Sequence, residues 1–173
     1  YNDLILIDNF DRDSLLKYLE IYKLIKTPAE IENAYRKYLK IFPSDSELKF
    51  EFVLFYKEQK QYPEMINLLH DLVLSNPKNK EHLIELAKTY QLKSDFDNSK
   101  KYYLLSIQTD PKNITAVYNL ALIYYNQKDY ISSDLMFKKL SILSPVWADM
   151  YYHWANTLLN LKKYDDAKNK LEQ

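Results

Sequence analysis

The stretches NPKN at residues 76–79 and DPKN at residues 110–113 are nearly the same turn, and they lie 34 residues apart. Four of the six prolines recur at this same interval: Pro43, Pro77, Pro111 and Pro145. Proline fixes φ and has no N–H, so it ends a helix and favours a turn. A helix stop at a constant interval therefore predicts a structural unit that is used several times in succession.

Large apolar side chains keep the same register when residues 114–147 are taken as the reference unit. Its eleventh position, followed through five units, holds Tyr22, Tyr56, Tyr90, Tyr124 and Leu158. Its twenty-fourth position holds Tyr35, Leu69, Tyr103, Phe137 and Leu171. Its seventeenth position holds Pro28, Tyr62, Phe96, Tyr130 and Tyr164. Most of the 17 tyrosines occupy such repeated offsets and are expected to lie in the core, including Tyr56, Tyr62, Tyr90, Tyr103, Tyr124, Tyr130 and Tyr164.

Each unit divides into two helical stretches separated by a polar break. In the reference unit, apolar residues fall at Val117, Leu120, Ala121 and Tyr124, which is the spacing of one helix face. Tyr130, Ser133, Phe137 and Leu140 fall on one face of a second helix.

Capping signals mark where several of these helices begin. Thr27, Pro28 and Glu30 predict an N-cap, a first helical residue and a capping box. Residues 44–47, SDSE, repeat that pattern and predict a cap at Ser44, and Asp129 is a predicted N-cap of the reference unit. The pair Asp165 and Asp166 is expected in the first turn of a helix, where carboxylates favour the positive end of the dipole.

A pair of helices this short cannot bury its own apolar face, whereas stacked pairs share a continuous core. A 34-residue helix–turn–helix unit with an aromatic residue at position eleven, small residues at eight and twenty and proline at thirty-two resembles the tetratricopeptide repeat. The resemblance implies an all-α, right-handed superhelical solenoid of stacked antiparallel helix pairs. The expected units are a divergent repeat at 12–45, repeats at 46–79, 80–113 and 114–147, and a truncated repeat at 148–173, with 1–11 as the end of a preceding helix or repeat.

Composition excludes several classes of site. The chain has no glycine, so it has no glycine-rich phosphate loop, and no cysteine, so it has neither disulfides nor thiolate metal sites. Lys plus Arg equals Asp plus Glu, and the charges are interleaved, which argues against a nucleic-acid partner. His70, His82 and His153 lie in three different units, so neither a metal site, a cofactor nor a catalytic constellation is expected.

The repeat register at both ends of the sequence predicts that the chain is a segment cut from a longer array. The alternative is a short N-terminal segment that leads into the first repeat. The apolar run at residues 4–7 is too short to span a bilayer, so this segment is not expected to insert into a membrane. A soluble segment is expected, in the cytoplasm rather than the periplasm, although the absence of cysteine does not choose a compartment.

The resemblance also implies that the first helix of each repeat lines a concave groove in which ligands lie as extended peptides. On that basis the expected peptide-binding residues are Lys88, Tyr118, Asn119, Leu122, Tyr125, Tyr152, His153, Asn156 and Leu159. The alternative is that Tyr118 and Tyr152 pack between adjacent first helices and offer little to a ligand. The carboxylate clamp of the chaperone-binding members is not expected, because only Asn119 fills one of its roles.

The sequence therefore predicts a protein-binding scaffold that performs no chemistry itself. Two alternatives stay open at this point. One is a structural spacer or oligomerisation module that associates through the array ends, and the other is a regulatory array attached to an enzyme domain outside this chain.

Overall fold

The computed structural model describes residues 12–172, and in that part of the chain every regular element is a helix. Their bounds are α1 Arg12–Ile25, α2 Pro28–Ile41, α3 Ser46–Glu58, α4 Tyr62–Ser75, α5 Lys80–Leu92, α6 Phe96–Thr109, α7 Ile114–Asn126, α8 Tyr130–Leu143, α9 Ala148–Asn160 and α10 Tyr164–Leu171. Odd-numbered helices are the first helices of successive pairs, and even-numbered ones are the second. The predicted all-α class is thereby confirmed, while the prediction for residues 1–11 lies outside the described residues.

The chain divides into two compact units, each longer than the 34-residue repeat discussed above, and these two units are described separately. Unit 1 is Tyr1–Leu68 and unit 2 is Leu69–Gln173, so the division falls within α4. In unit 1, aromatic residues form the core, with the Tyr35 and Phe52 rings stacked at 4.6 Å and the Phe52 and Tyr56 rings at 4.3 Å between centroids. Leu19 and Ile31, two bulky residues of the segment predicted to be a divergent repeat, are also buried there.

In unit 2, small buried residues lie between the two helices of a pair. Ala87 and Ala121 are fully buried on first helices, and Ser99 and Ser133 are fully buried on the second helices that face them. The Ser99 hydroxyl donates to the Ala87 carbonyl at 2.9 Å, and the Ser133 hydroxyl donates to the Ala121 carbonyl at 3.0 Å. Small side chains at these two offsets let the helices approach closely enough for each hydroxyl to reach the facing backbone.

The observed caps confirm two predictions and correct one. Thr27 and Glu30 form the predicted capping box, and Asp129 caps α8 by accepting from the Ser132 N–H. The predicted cap at Ser44 is wrong: Asp45 is the N-cap of α3, and its Oδ1 accepts from the N–H groups of Glu47 and Leu48 at 3.1 and 3.0 Å. Asp45 directly precedes the helix and is held by the Arg12 guanidinium, so it takes the role that the pattern gave to its neighbour.

In four helix pairs, the turn that joins the two helices contains a residue other than glycine whose backbone has a positive, left-handed φ. These residues are Lys60, Ser94, Lys128 and Lys162, with φ between 55° and 63°. Around Lys128, the Asp129 N–H donates to the Tyr124 carbonyl and the Lys128 N–H to the Tyr125 carbonyl, which satisfies the end of α7. Because the chain has no glycine, side chains with a Cβ occupy this strained position each time.

The expectation that the periodic tyrosines form the core holds for some positions and fails for one. Tyr56 and Tyr103 are buried, whereas Tyr62, Tyr90, Tyr124 and Tyr130 are half-buried. Tyr164 is 63% exposed, which contradicts the prediction. Its helix has only eight residues, and within residues 12–172 no further helix follows to cover it.

Candidate functional site

All nine predicted binding residues lie in unit 2 and on its first helices. Lys88 is on α5, the set Tyr118, Asn119, Leu122 and Tyr125 is on α7, and the set Tyr152, His153, Asn156 and Leu159 is on α9. We call the side of α5, α7 and α9 that carries them the first-helix surface.

Four rings meet on this surface and form what we call the aromatic cluster: Tyr118, Trp147, Tyr152 and His153. The Tyr118 ring lies 4.5 Å from the Trp147 ring and 6.1 Å from the His153 imidazole between centroids. The Tyr152 ring contacts the same imidazole, with its centroid 5.5 Å from that of His153 in an edge-to-face arrangement. The structure therefore brings three predicted residues together and adds Trp147 to them.

The four rings differ in how much surface they offer to a ligand. Tyr118 is half-buried and its ring also meets the edge of Phe137, so the alternative prediction of packing describes Tyr118 in part. Burial, reinforced by the nearby Asp149 carboxylate, raises the pKa of the Tyr118 phenol. Tyr152, by contrast, is 58% exposed, and the packing alternative does not describe it.

Some of the apolar and amide residues beside the cluster pack against the protein, and others are exposed to solvent. Leu122 packs against the core, while Leu159 is 43% exposed. The Asn119 side chain donates to the Thr115 carbonyl at 2.8 Å, which uses one of the two N–H donors of that amide. Asn156 is half-buried, and its backbone carbonyl accepts from the Asn160 amide.

Two predicted residues are engaged outside the aromatic cluster. The Tyr125 ring meets the Tyr130 ring of α8 edge to face at 5.6 Å. Lys88 Nζ lies 3.2 Å from Glu85 Oε1 on its own helix. Their place in a binding site stays a prediction.

Trp147 was missed by the repeat pattern, although the sequence does contain a signal for it. The three preceding first helices begin after a side chain that caps them, namely Asp45, Asn79 and Asn113. At the matching place before α9 stands Trp147, which makes no side-chain cap. A missing cap of this kind costs about 0.5–2 kcal/mol, so the indole replaces a stabilising group and gains contact with Tyr118.

A buried carboxylate positions α9, which carries half of the cluster. Asp134 of α8 is 4% exposed and accepts from Trp154 Nε1 at 2.8 Å and from the Lys138 and Lys163 ammonium groups at 3.0 Å each. Burial alone would raise the pKa of Asp134, but hydrogen bonds from Trp154, Lys163 and Lys138 outweigh it and hold the pKa below its ordinary value. The carboxylate stays charged at neutral pH and ties α8 to α9.

Residues 12–172 contain no group of three or more His, Asp or Glu side chains placed to hold a metal ion. None of the helices described above has both the length and the apolar character needed to cross a bilayer.

Comparison with known proteins finds one family match and several similar structures. Residues 83–113 match the family model described as tetratricopeptide repeat. MamA of Desulfovibrio magneticus, from residue 41 to its end, superposes with a TM-score of 0.78 at 11% identity, covering 92% of this chain and 90% of that one. A tetratricopeptide repeat protein from Parabacteroides merdae gives 0.80 at 14% identity, covering 91% of this chain and 63% of that one.

A third similar structure is Pseudomonas aeruginosa PilF, with a TM-score of 0.71 at 16% identity, covering 92% of this chain and 72% of that one. Among curated protein sequences, none matches this chain at a significant level. At such low identities the likeness is one of fold.

Proposed function

Because residues 83–113 are a tetratricopeptide repeat and the chain has the fold of tetratricopeptide-repeat proteins, we propose that it is a non-catalytic scaffold. It binds a segment of another protein on the first-helix surface of unit 2. The aromatic cluster is the centre of that contact. The observation that carries the proposal is the exposed Tyr152 ring, which His153 connects to the half-buried Tyr118 and Trp147 rings.

The chemistry of this surface suits an extended peptide. Tyrosine and tryptophan rings bury a large area with few rotatable bonds, and they dominate the energy of many protein interfaces. Tyr152 and Leu159 supply exposed apolar area on α9, separated by about two helical turns. The half-buried amides of Asn119 and Asn156 can exchange hydrogen bonds with a peptide backbone.

The test is to select a ligand from a random-peptide display library on the whole chain and to measure its affinity calorimetrically. Tyr152→Ala is expected to weaken binding about tenfold or more, as loss of an interface hot spot does. Tyr164→Ala is the matched control, because Tyr164 is an equally exposed tyrosine on a second helix, and it should leave the affinity unchanged. If the two substitutions change the affinity equally, or if Tyr152→Ala does not change it, the first-helix surface is not the binding site.

A second candidate function, self-association, is favoured by a different face of unit 2. Ile131, Leu135 and Ile142 are 69%, 56% and 83% exposed on α8, and their spacing places them along one side of that helix. Light scattering over a range of concentrations separates the two candidates. A peptide-binding monomer keeps its mass, whereas a spacer that associates through α8 gains mass and loses that gain on Leu135→Lys.

A further inference from the structure

The two first helices that carry the aromatic cluster contain very little charge. Charged residues make up 28% of the whole chain. On α7 and α9, each 13 residues long, Asp149 is the one side chain that is Asp, Glu, Lys or Arg. On the neighbouring first helix α5, Lys88 is paired with Glu85. A ligand on the cluster therefore meets one negative charge and no lysine or arginine of α7 or α9.

This single charge lies beside the rings of the cluster. Asp149 is one turn before Tyr152 and His153 on α9, a spacing that places side chains on the same helix face with their Cβ atoms about 5–6 Å apart. Burial raises the pKa of the Tyr118 phenol, and the Asp149 carboxylate lies close enough to raise it further. The carboxylate thus borders rings from both α7 and α9.

The Asp149 carboxylate is open to a ligand. Asp149 is exposed and has no ion-pair partner among residues 12–172. An exposed carboxylate in the first turn of a helix is ordinary, because the helix dipole favours it there. The adjoining rings make this one different, since the faces of tyrosine and tryptophan rings also attract a cation. Carboxylate and rings favour the same kind of ligand group.

We propose that the partner segment presents an arginine here, with its guanidinium over the rings of the aromatic cluster and against the Asp149 carboxylate. The inference rests on the function proposed above and adds the chemistry of the ligand. A guanidinium is planar, stacks on aromatic faces and can donate two parallel N–H bonds to one carboxylate, whereas the ammonium of lysine is compact and more strongly hydrated. The exposed Tyr152 ring beside an open carboxylate therefore suits arginine better than lysine.

The probe is Nα-acetyl-arginine N-methylamide, titrated at neutral pH and constant ionic strength into the isotopically labelled whole chain and followed by amide chemical shifts. The citrulline analogue is the matched control, because its side chain has the same planar shape without the charge. Saturable shifts at Tyr118, Asp149, Tyr152 and His153 are expected for the arginine probe, with a Kd in about the millimolar range and at least about tenfold weaker binding of the citrulline probe. Equal binding of the two probes, or shifts that do not saturate, would overturn the proposal.

A third probe tests the choice of arginine. Nα-acetyl-lysine N-methylamide carries the same charge on a group that neither stacks nor donates in a planar pair, so it should bind more weakly than the arginine probe. If the lysine and arginine probes have the same Kd, the surface recognises charge alone and the assignment to arginine is wrong.

A substitution of the carboxylate separates recognition from helix stability. Asp149→Asn is expected to raise the Kd of the arginine probe about threefold, which is the effect of losing one exposed charge partner. Asp165→Asn is the matched control, because Asp165 is also an exposed aspartate in the first turn of a helix, and it should leave the Kd unchanged. If Asp149 acts only on the helix dipole, Asp149→Asn changes stability but not this Kd, and the proposal fails.

Failure of this inference is distinguishable from failure of the proposed function. If Tyr152→Ala weakens a selected peptide but Asp149→Asn leaves the Kd of the arginine probe unchanged, the first-helix surface binds peptides and the assignment of arginine alone is wrong. If Tyr152→Ala leaves the selected peptide unaffected, the surface itself is wrong, and the arginine site is rejected with it.

Discussion

The indole Nε1 of Trp154 donates a 2.8 Å hydrogen bond to the Oδ1 of Asp134, and this bond joins α9 to α8. The Oδ2 of the same carboxylate accepts from Lys138 on its own helix and from Lys163 in the turn before α10. Three elements of unit 2 thus share one buried charge. Because α9 carries Tyr152 and His153, the position of the aromatic cluster depends on this carboxylate.

Replacing Asp134 with alanine is expected to lower the free energy of unfolding by about 3 kcal/mol. The substitution leaves the Trp154 N–H without its acceptor in a buried place and removes the partner of two ammonium groups. Urea unfolding followed by circular dichroism measures the change. Asp97→Ala is the control: Asp97 also pairs with a lysine, but it is 89% exposed, and its loss should cost no more than about 0.5 kcal/mol.

The same carboxylate predicts how stability changes in acid. Its pKa is lowered in the folded state, so the stability it contributes is fully present above the ordinary pKa of an aspartate and is lost as the pH falls through the folded pKa. The difference in unfolding free energy between the wild type and Asp134→Ala should therefore shrink between about pH 5 and pH 2. Urea titrations of both proteins at several pH values measure it. A difference that stays constant with pH would mean that Asp134 contributes through packing and not through its charge.

Much of the fold could be predicted because it depends on local and periodic features. The prolines, the apolar offsets and the small residues at Ala121 and Ser133 each report a position within one helix pair. Asp134 could not be recognised in this way, because Trp154 and Lys163 lie 20 and 29 residues further along the chain and only folding brings them together. Its sequence neighbours make it look like an ordinary surface residue of α8.

The sequence predicted where the candidate site lies, but it did not predict every residue of the site or how exposed each one is. Tyr118, Tyr152 and His153 follow from the register of the first helices. Their degree of burial does not follow, because it depends on contacts outside the repeat pattern: the Tyr118 ring, for example, packs against the indole of Trp147, which precedes α9 where a cap was to be expected. The exposure of Tyr164 could not be predicted either. Its offset is that of a core residue, but no described helix packs over it.

The turn after α7 gives a prediction of increased stability. Lys128 has φ of 63°, a region that costs a residue with a Cβ about 1 kcal/mol and that glycine enters freely. Lys128→Gly is therefore expected to raise the unfolding free energy by about 0.5–1 kcal/mol, measured by urea unfolding. Lys168→Gly, which places the same change within α10, should lower it by a similar amount. A loss of stability in Lys128→Gly would show that the lysine side chain stabilises the turn by more than the backbone strain costs.

Trp147 provides a test that separates binding from stability. Trp147→Asn restores the type of residue that caps α5 and α7, which should contribute about 1 kcal/mol. It also removes the ring contact with Tyr118 and the packing of the half-buried indole against the core of unit 2, which together are worth about 2 kcal/mol. The unfolding free energy is therefore expected to fall by only about 1 kcal/mol, whereas affinity for a peptide selected on the wild type should fall about tenfold. Calorimetric titration and urea unfolding of the same preparation measure both quantities. If stability falls by more than about 2 kcal/mol instead, the indole acts as a core residue, and weaker binding by this variant would no longer support a ligand contact at Trp147.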